Sequence, residues 1–443
     1  MLVACLRRWI RQLSAPAKPR WRPRTTLVLE VLEGRMAPAV FTVNTFDDTV
    51  EATRDGSALD ANGNISLRSA VMASNDLGGA NAIVLSGGTY SLTIAPVASR
   101  GDEGGHLNIA RGLTSINTTI QGADDGTTVI DANQLDHAID VGFFCIATLS
   151  QLTIQHGTGT FGGDVGNSGQ LTIDSCTITG GAASFGGGVY SSGGTLAITN
   201  STLSSNGGSG TWGGGLYAQG ATLSLDSDTI ASNSGSFGAG IYLNGGTTTI
   251  TNSTVANNAA SSWGGGIYNQ AGTITLTNDT IANNTATEGG GIFTFGSGAT
   301  ISLTNCTIAA NACSGSGSEG GGIYQGIGSP TTILKNTIVA GNTASEGTDV
   351  DGAITSHGHN LIGNNEDASG FVDSDLVGTA DSPLDPLLGP LQDNGGPTQT
   401  MALQQDSLAI GNGDPDGAPT LDQRGVTRGT SPDIGAYQFV PTP

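Results

Sequence analysis

Two pairs of carboxylates occupy positions from which they could share one substrate. Asp228 and Asp279 fall at the same point of a recurring sequence unit, two units apart, and Asp174 and Asp226 make a similar pair. If each unit is one layer of stacked parallel strands, two layers separate them by about 10 Å. Glycoside hydrolysis places two carboxyl groups about 5 to 9.5 Å apart on one surface, so these are the first candidates for catalysis. The competing role is structural: Asp beside a turn accepts backbone N–H bonds, and each of these residues lies near a recurring asparagine. We favour the structural role. Between Gly112 and Leu334 there is no lysine or arginine, and the only histidines are His137 and His156, so that stretch is poorly equipped to abstract a proton.

Binding chemistry is better represented. One aromatic series precedes a recurring glycine block: Phe161, Phe185, Trp212, Phe237 and Trp263, after which Glu288 and Glu319 take over. A second closes the block: Tyr190, Tyr217, Tyr242, Tyr268, Phe293 and Tyr324. Rings repeated at the strand spacing of about 4.8 Å would form a platform for an extended polysaccharide, whose C–H faces pack on rings. Ligand contact is therefore expected at Tyr190, Tyr217, Tyr242, Tyr268 and Tyr324 and at Phe185, Trp212, Phe237 and Trp263. Alternation puts Ile267 inward and Tyr268 outward, which predicts an exposed tyrosine column. The same parity would point Trp263 inward, and stacked rings also stabilise such a structure with no ligand bound.

Cofactor signals are sparse. Asp60-Ala-Asn62-Gly-Asn64 offers oxygens at alternate positions, as calcium loops do, and Asp414-Pro-Asp416-Gly offers a poorer set. Neither completes a recognised loop, so no cofactor is assigned; calcium is the one ion suggested and its ligands are left unknown. Cys145, Cys176, Cys306 and Cys313 lack zinc-ligand spacing. They read as small buried hydrophobes, with Cys306 and Cys313 the one conceivable disulfide. Arg424 beside Asp422, with Asp433 near in sequence, reads as a structural ion pair.

These residues are carried by a repeat. The block Gly186-Gly-Gly-Val-Tyr190 recurs at Gly213, Gly238, Gly264, Gly289 and Gly320. Between blocks run alternating strands such as LAITNSTL from Leu196 and LSLDSDTI from Leu223, and each unit carries an asparagine at one register: Asn206, Asn233, Asn258, Asn284 and Asn311. Three period-2 stretches per unit, with no helical period, predict a solenoid whose coils each hold three strands. Ile198, Leu225, Ile250, Leu276 and Leu303 would stack in a narrow core. The asparagines would bond from coil to coil.

The repeat resembles the right-handed parallel β-helix of the pectin-lyase-like superfamily, and more closely the glycine-rich repeats of polymorphic outer-membrane and adhesin-like proteins, over about residues 106–345. ISLRSAV (Ile65 to Val71) resembles the CSLREAI motif that precedes such helices, with isoleucine replacing the family's cysteine. Ser66 to Asn75 is expected to form a short helix over the open end of the core. DNGGPTQTMAL (Asp393 to Leu403), LDQRG (Leu421 to Gly425) and DIGAYQF (Asp433 to Phe439) resemble the choice-of-anchor Q module. The chain ends four residues later with no hydrophobic tail, so surface retention would be non-covalent. Lyases of this fold use a basic residue and usually calcium. The polygalacturonase order of motifs is missing here, and Ser356-His357-Gly358-His359 only brushes against it.

The expected fold is thus all-β: a right-handed parallel β-helix of about ten coils, with an export segment at 1–39, an N-terminal cap at 40–105, the helix at 106–345 and a C-terminal module at 346–443. Eight of the fifteen basic residues precede residue 40, followed by an apolar stretch and Ala37-Pro38-Ala39, the order of an export signal. A formal net charge of −22 excludes binding nucleic acid by phosphate neutralisation, and no apolar run approaches a spanning helix. The expectation is a bacterial protein, extracellular or on the outer cell surface. It would adhere to or bind a polysaccharide or surface glycan, or other cell-surface proteins, without catalysis. The alternatives are a polysaccharide-degrading hydrolase or calcium-dependent lyase, and a purely structural envelope protein.

Overall fold

The computed structural model describes residues 38–96, 103–110, 115–315 and 317–441; the expected export segment lies almost wholly outside them. Among the described residues the one α-helix is Leu67–Leu77, and nearly everything else that is regular is short parallel strand.

Three sheets run along the coils, and not every coil contributes to all of them. The first is a bent 21-stranded sheet that takes two strands from most coils, such as Val189–Ser192 and Thr195–Thr199, broken at Gly193-Gly194. In two coils the break heals into single strands, Ile241–Thr251 and Ile267–Thr277. The second sheet has twelve strands, among them Thr177–Thr179, Thr202–Ser204 and Thr229–Ala231. The third is interrupted and contains Ala182–Phe185, Ser234–Phe237 and Ala259–Trp263. Pairing between coils is parallel and in register, so Ile173, Ile198, Leu225, Ile250, Leu276, Leu303 and Leu334 form one inward ladder. Ile178, Leu203, Ile230, Val255, Ile281, Ile308 and Val339 form the ladder facing it. All fourteen are fully buried. A core one side chain deep needs few apolar residues per coil, which is how a chain only 37% hydrophobic fills it.

Buried polar ladders run beside the core. Asn206, Asn233, Asn258, Asn284, Asn311 and Asn342 each place Oδ1 on the backbone N–H and the amide of the preceding member, where there is one. Each amide also reaches a carbonyl in the preceding coil. The series ends at Asp349, whose Oδ1 accepts both N–H groups of Asn342. At the neighbouring turn Ser201, Asp228, Ser253 and Asp279 alternate, each accepting a backbone N–H from the coil before.

The glycine block is forced by this stacking. The first glycine is left-handed (Gly264, φ +66°), and a Cβ on the third (Gly266) would lie 2.6 Å from the Gly291 carbonyl of the next coil.

Helix Leu67–Leu77 starts at Ser66, whose hydroxyl accepts the Ser69 N–H while Ser69 returns the bond. Its Leu67, Ala70 and Val71 join the main core cluster. Arg68, almost fully buried, pairs with Asp48 at 2.6 Å and donates to the carbonyls of Gly105 and His106. The last part of the chain folds back along the solenoid. Thr398 reaches the Asn252 carbonyl, Gln423 reaches Ser253 and Thr280, and Arg428 reaches Asn278. Met401 covers Ala282 and Ala309 on the outer face of the twelve-stranded sheet.

Candidate functional site

The aromatic residues converge on one flank, outside the main core. In-register pairing makes a single column of Asn108, Asp140, Gly166, Tyr190, Tyr217, Tyr242, Tyr268, Phe293, Tyr324 and Asp351. From Tyr190 to Tyr324, successive ring centroids are 4.8 to 5.5 Å apart. The column does face away from the core, yet it is not exposed as alternation predicted: Tyr217, Tyr242 and Tyr268 keep only 4%, 1% and 3% of their surface.

The reason is the three-glycine turn. It brings the preceding strand back so that its aromatic residues cover the tyrosines as a second layer. Each outer ring sits over the inner ring of the following coil: Phe161 on Tyr190 at 5.0 Å, Phe185 on Tyr217 at 5.4 Å, Trp212 on Tyr242 at 5.4 Å and Trp263 on Phe293 at 5.6 Å. Trp263 points neither into the core nor fully into solvent; with Phe185, Trp212 and Phe237 it is half-buried in a separate apolar cluster. Parity counts faces along one strand and carries no information about a strand folded back over it.

Of the nine expected binding residues, then, Tyr217, Tyr242 and Tyr268 are the inner support. Phe185, Trp212, Phe237 and Trp263, with Tyr190 and Tyr324 at the ends, present partial surface. Phe161 is half exposed and stacks on Phe185 at 5.4 Å. Two hydroxyls of the tyrosine column bond glutamines of the following coil: Tyr190 donates to Gln219 and Tyr242 to Gln270. Burial pushes the Tyr268 hydroxyl up to about 12 and raises Tyr217 and Tyr242 as well. Beyond Trp263 the outer column turns acidic, with Glu288 paired to Trp263 and Glu319 paired to Glu346. Burial and then the Glu319 charge raise Glu288, and burial with neighbouring carboxylates raises Asp351 to about 6.

The paired aspartates do not line a cleft. Asp228 and Asp279 are fully buried, and each clasps two backbone N–H groups: Ser201 and Asp226 for the first, Ser253 and Thr277 for the second, at 2.8 to 3.0 Å. Burial raises Asp228 to about 7 and Asp279 well above the carboxylate range. Asp174 and Asp226 accept from Thr199 and Asn200, and from Thr251 and Asn252.

Asp60 spends Oδ1 on the Asn62 and Asn64 N–H groups and Oδ2 on Thr49. Asp414 accepts the Asp416 N–H and pairs with Lys335 at 3.1 Å. Arg424 does pair with Asp422, at 2.7 Å, and lies 3.5 Å from the Tyr437 ring centre. Cys306 and Cys313 are free thiols: Cys306 lies in the buried turn column before strand Thr307–Ala309, and Cys313 lies beyond that strand, in Ala312–Cys313.

One constellation escaped the sequence reading. His106 and His137 stack at 4.0 Å and share Asp136, which accepts from one Nδ1 at 2.9 Å and lies 3.1 Å from the other. Burial opposes ionisation of Asp136, but these contacts outweigh it and hold the carboxyl far below its usual range. The available signal was a histidine spacing close to one coil.

The comparisons agree with this architecture. A family model described as a right-handed β-helix region matches residues 137–308. No curated protein matches the chain. Among solved structures, the crystal structure of pectate lyase Pel9A aligns with a TM-score of 0.51 at 14% identity, covering 91% of this chain and 97% of that one. At that identity the likeness is one of fold: this chain is a right-handed parallel β-helix.

Proposed function

We propose that the protein is an extracellular or surface-held bacterial β-helix that binds an extended glycan along its aromatic flank and does not cleave it. The observation that carries this reading is the two-layer aromatic strip. The inner layer is buried and rigid, and the outer layer presents ring surface over four consecutive coils from Phe185 to Trp263. A sugar chain lying along the solenoid would meet a ring at each coil, and fixed rings lose little entropy on binding. What supports binding over hydrolysis is that the oxygens of Asp228 and Asp279 are committed to backbone N–H groups inside turns.

Affinity electrophoresis against neutral and acidic polysaccharides tests the proposal. Retardation by one of them, lost in the Trp212→Ala/Trp263→Ala double variant while the fold persists, is the expected result. Uniform mobility across the panel would leave the strip as structure only. A second reading, cleavage, is favoured by the kinship of fold with a pectate lyase. Release of reducing ends or unsaturated products from the retarding polysaccharide would establish it over simple binding.

A further inference from the structure

We propose that His106, Asp136 and His137 form a binding site for one divalent transition-metal ion of the zinc or cobalt type, at the end of the solenoid nearer the helix Leu67–Leu77. His106 immediately precedes strand Leu107–Ile109, and Asp136 and His137 closely precede Ile139–Val141 in the next coil. These strands pair in register, Leu107 with Ile139, and this stacks one imidazole on the other. One ligand atom from each of the three residues lies within 4.8 Å of the other two. The Nδ1 atoms sit 2.9 and 3.1 Å from the two oxygens of Asp136. Donors bound to zinc at about 2.0 to 2.2 Å in a tetrahedron stand roughly 3.3 to 3.6 Å apart, so the ion would replace two hydrogen-bonded contacts with modest rearrangement.

Two further observations point to a ligand. His137 Nε2 is buried with no hydrogen-bond partner, and so is Asn108 Oδ1. Asn108 lies in register with Asp140, which sits in the electrostatic field of both histidines. Buried polar atoms are rarely left unpaired. If the ion takes Nδ1, the imidazole proton moves to Nε2, so the unpartnered Nε2 of His137 changes from acceptor to donor. The backbone is held in advance: Arg68 binds the carbonyls of Gly105 and His106, and Thr158 binds that of Asp136. Two imidazoles with one carboxylate suit a borderline ion, whereas calcium favours an all-oxygen shell.

The test is titration of the full-length, untagged chain with Zn²⁺ by calorimetry and with Co²⁺ by visible absorption. The expected result is one ion per chain, with Co²⁺ bands of a low-symmetry nitrogen-containing site. Loss of an outer-shell partner alone weakens metal sites about 10- to 100-fold, so His106→Ala and His137→Ala should each weaken binding by at least ~100-fold. His156→Ala should leave it unchanged. Absence of uptake, or uptake at equal strength in both site variants, would overturn the proposal. Should those variants fail to fold, the wild-type Co²⁺ spectrum decides: a spectrum indistinguishable from hydrated Co²⁺ also overturns it.

Discussion

Replacing Asn258 by alanine should damage this fold far more than its size suggests. The side chain is fully buried. Its Oδ1 accepts the backbone N–H and the amide of Asn233, both at 3.0 Å, and its Nδ2 donates to the Ile230 carbonyl and to Asn284 Oδ1, both at 2.9 Å. Removing it strands a backbone N–H and a carbonyl where water cannot reach. At about 1–3 kcal/mol for each unsatisfied backbone group, the loss is about 2–6 kcal/mol, before any contribution from the interrupted ladder. Thr249→Ala, on the exposed face of strand Ile241–Thr251, should change stability by less than about 0.5 kcal/mol. Urea unfolding followed by far-ultraviolet circular dichroism supplies the measurement, with slopes compared because solenoids can unfold in parts. A stability for Asn258→Ala within about 1 kcal/mol of wild type would refute the idea that the ladder holds the coils together.

Three other predictions follow from particular residues. The folded-state pKa of Asp228, about 7, lies above its unfolded value, so its stabilising contribution is full below about pH 4 and is lost as pH rises toward 7. Asp228→Ser, which copies Ser201 and Ser253 at the same turn, should flatten that part of the pH–stability curve by at most about 4 kcal/mol; an unchanged curve would contradict it. Gly266→Ala forces a Cβ to within 2.6 Å of the Gly291 carbonyl and should cost about 1–3 kcal/mol by overpacking, a value that denaturant midpoints can check. In a Cys5→Ser/Cys145→Ser chain, none of the three remaining thiols should react rapidly with a disulfide reagent, because burial raises the thiols of Cys176 and Cys313 to about 12 and that of Cys306 well above the usual range. Rapid labelling of one of these three would show that the packing is wrong.

The solenoid was legible because its rules are local and repeated. Ile198, Leu225, Ile250, Leu276 and Leu303 announce the core by alternation, and the asparagine register announces the turn. The burial of Tyr217, Tyr242 and Tyr268 was not legible, since it depends on how three glycines redirect the chain rather than on any property of the tyrosines. The pairing of His106 with His137 occurs once, so repetition gave it no weight against a background of unrelated residues. The return of Gln423 and Arg428 to coils 150 to 170 residues earlier has no periodic signature at all. Asp228 and Asp279 were legible as turn acceptors because a carboxylate at a turn takes the backbone N–H groups there, as each does from its own coil and from the coil before.

The claim that the outer aromatic layer is a glycan-binding surface has a direct probe. Apart from Trp9 and Trp21, the only tryptophans are Trp212 and Trp263, and both lie in that layer. In a chain with Trp9 and Trp21 replaced by phenylalanine, their emission and its quenching by acrylamide can be followed during titration with neutral and acidic polysaccharides. The account predicts partly quenchable emission that shifts and becomes protected, saturably, with one polysaccharide. Emission and quenching that ignore every member of the panel would contradict it.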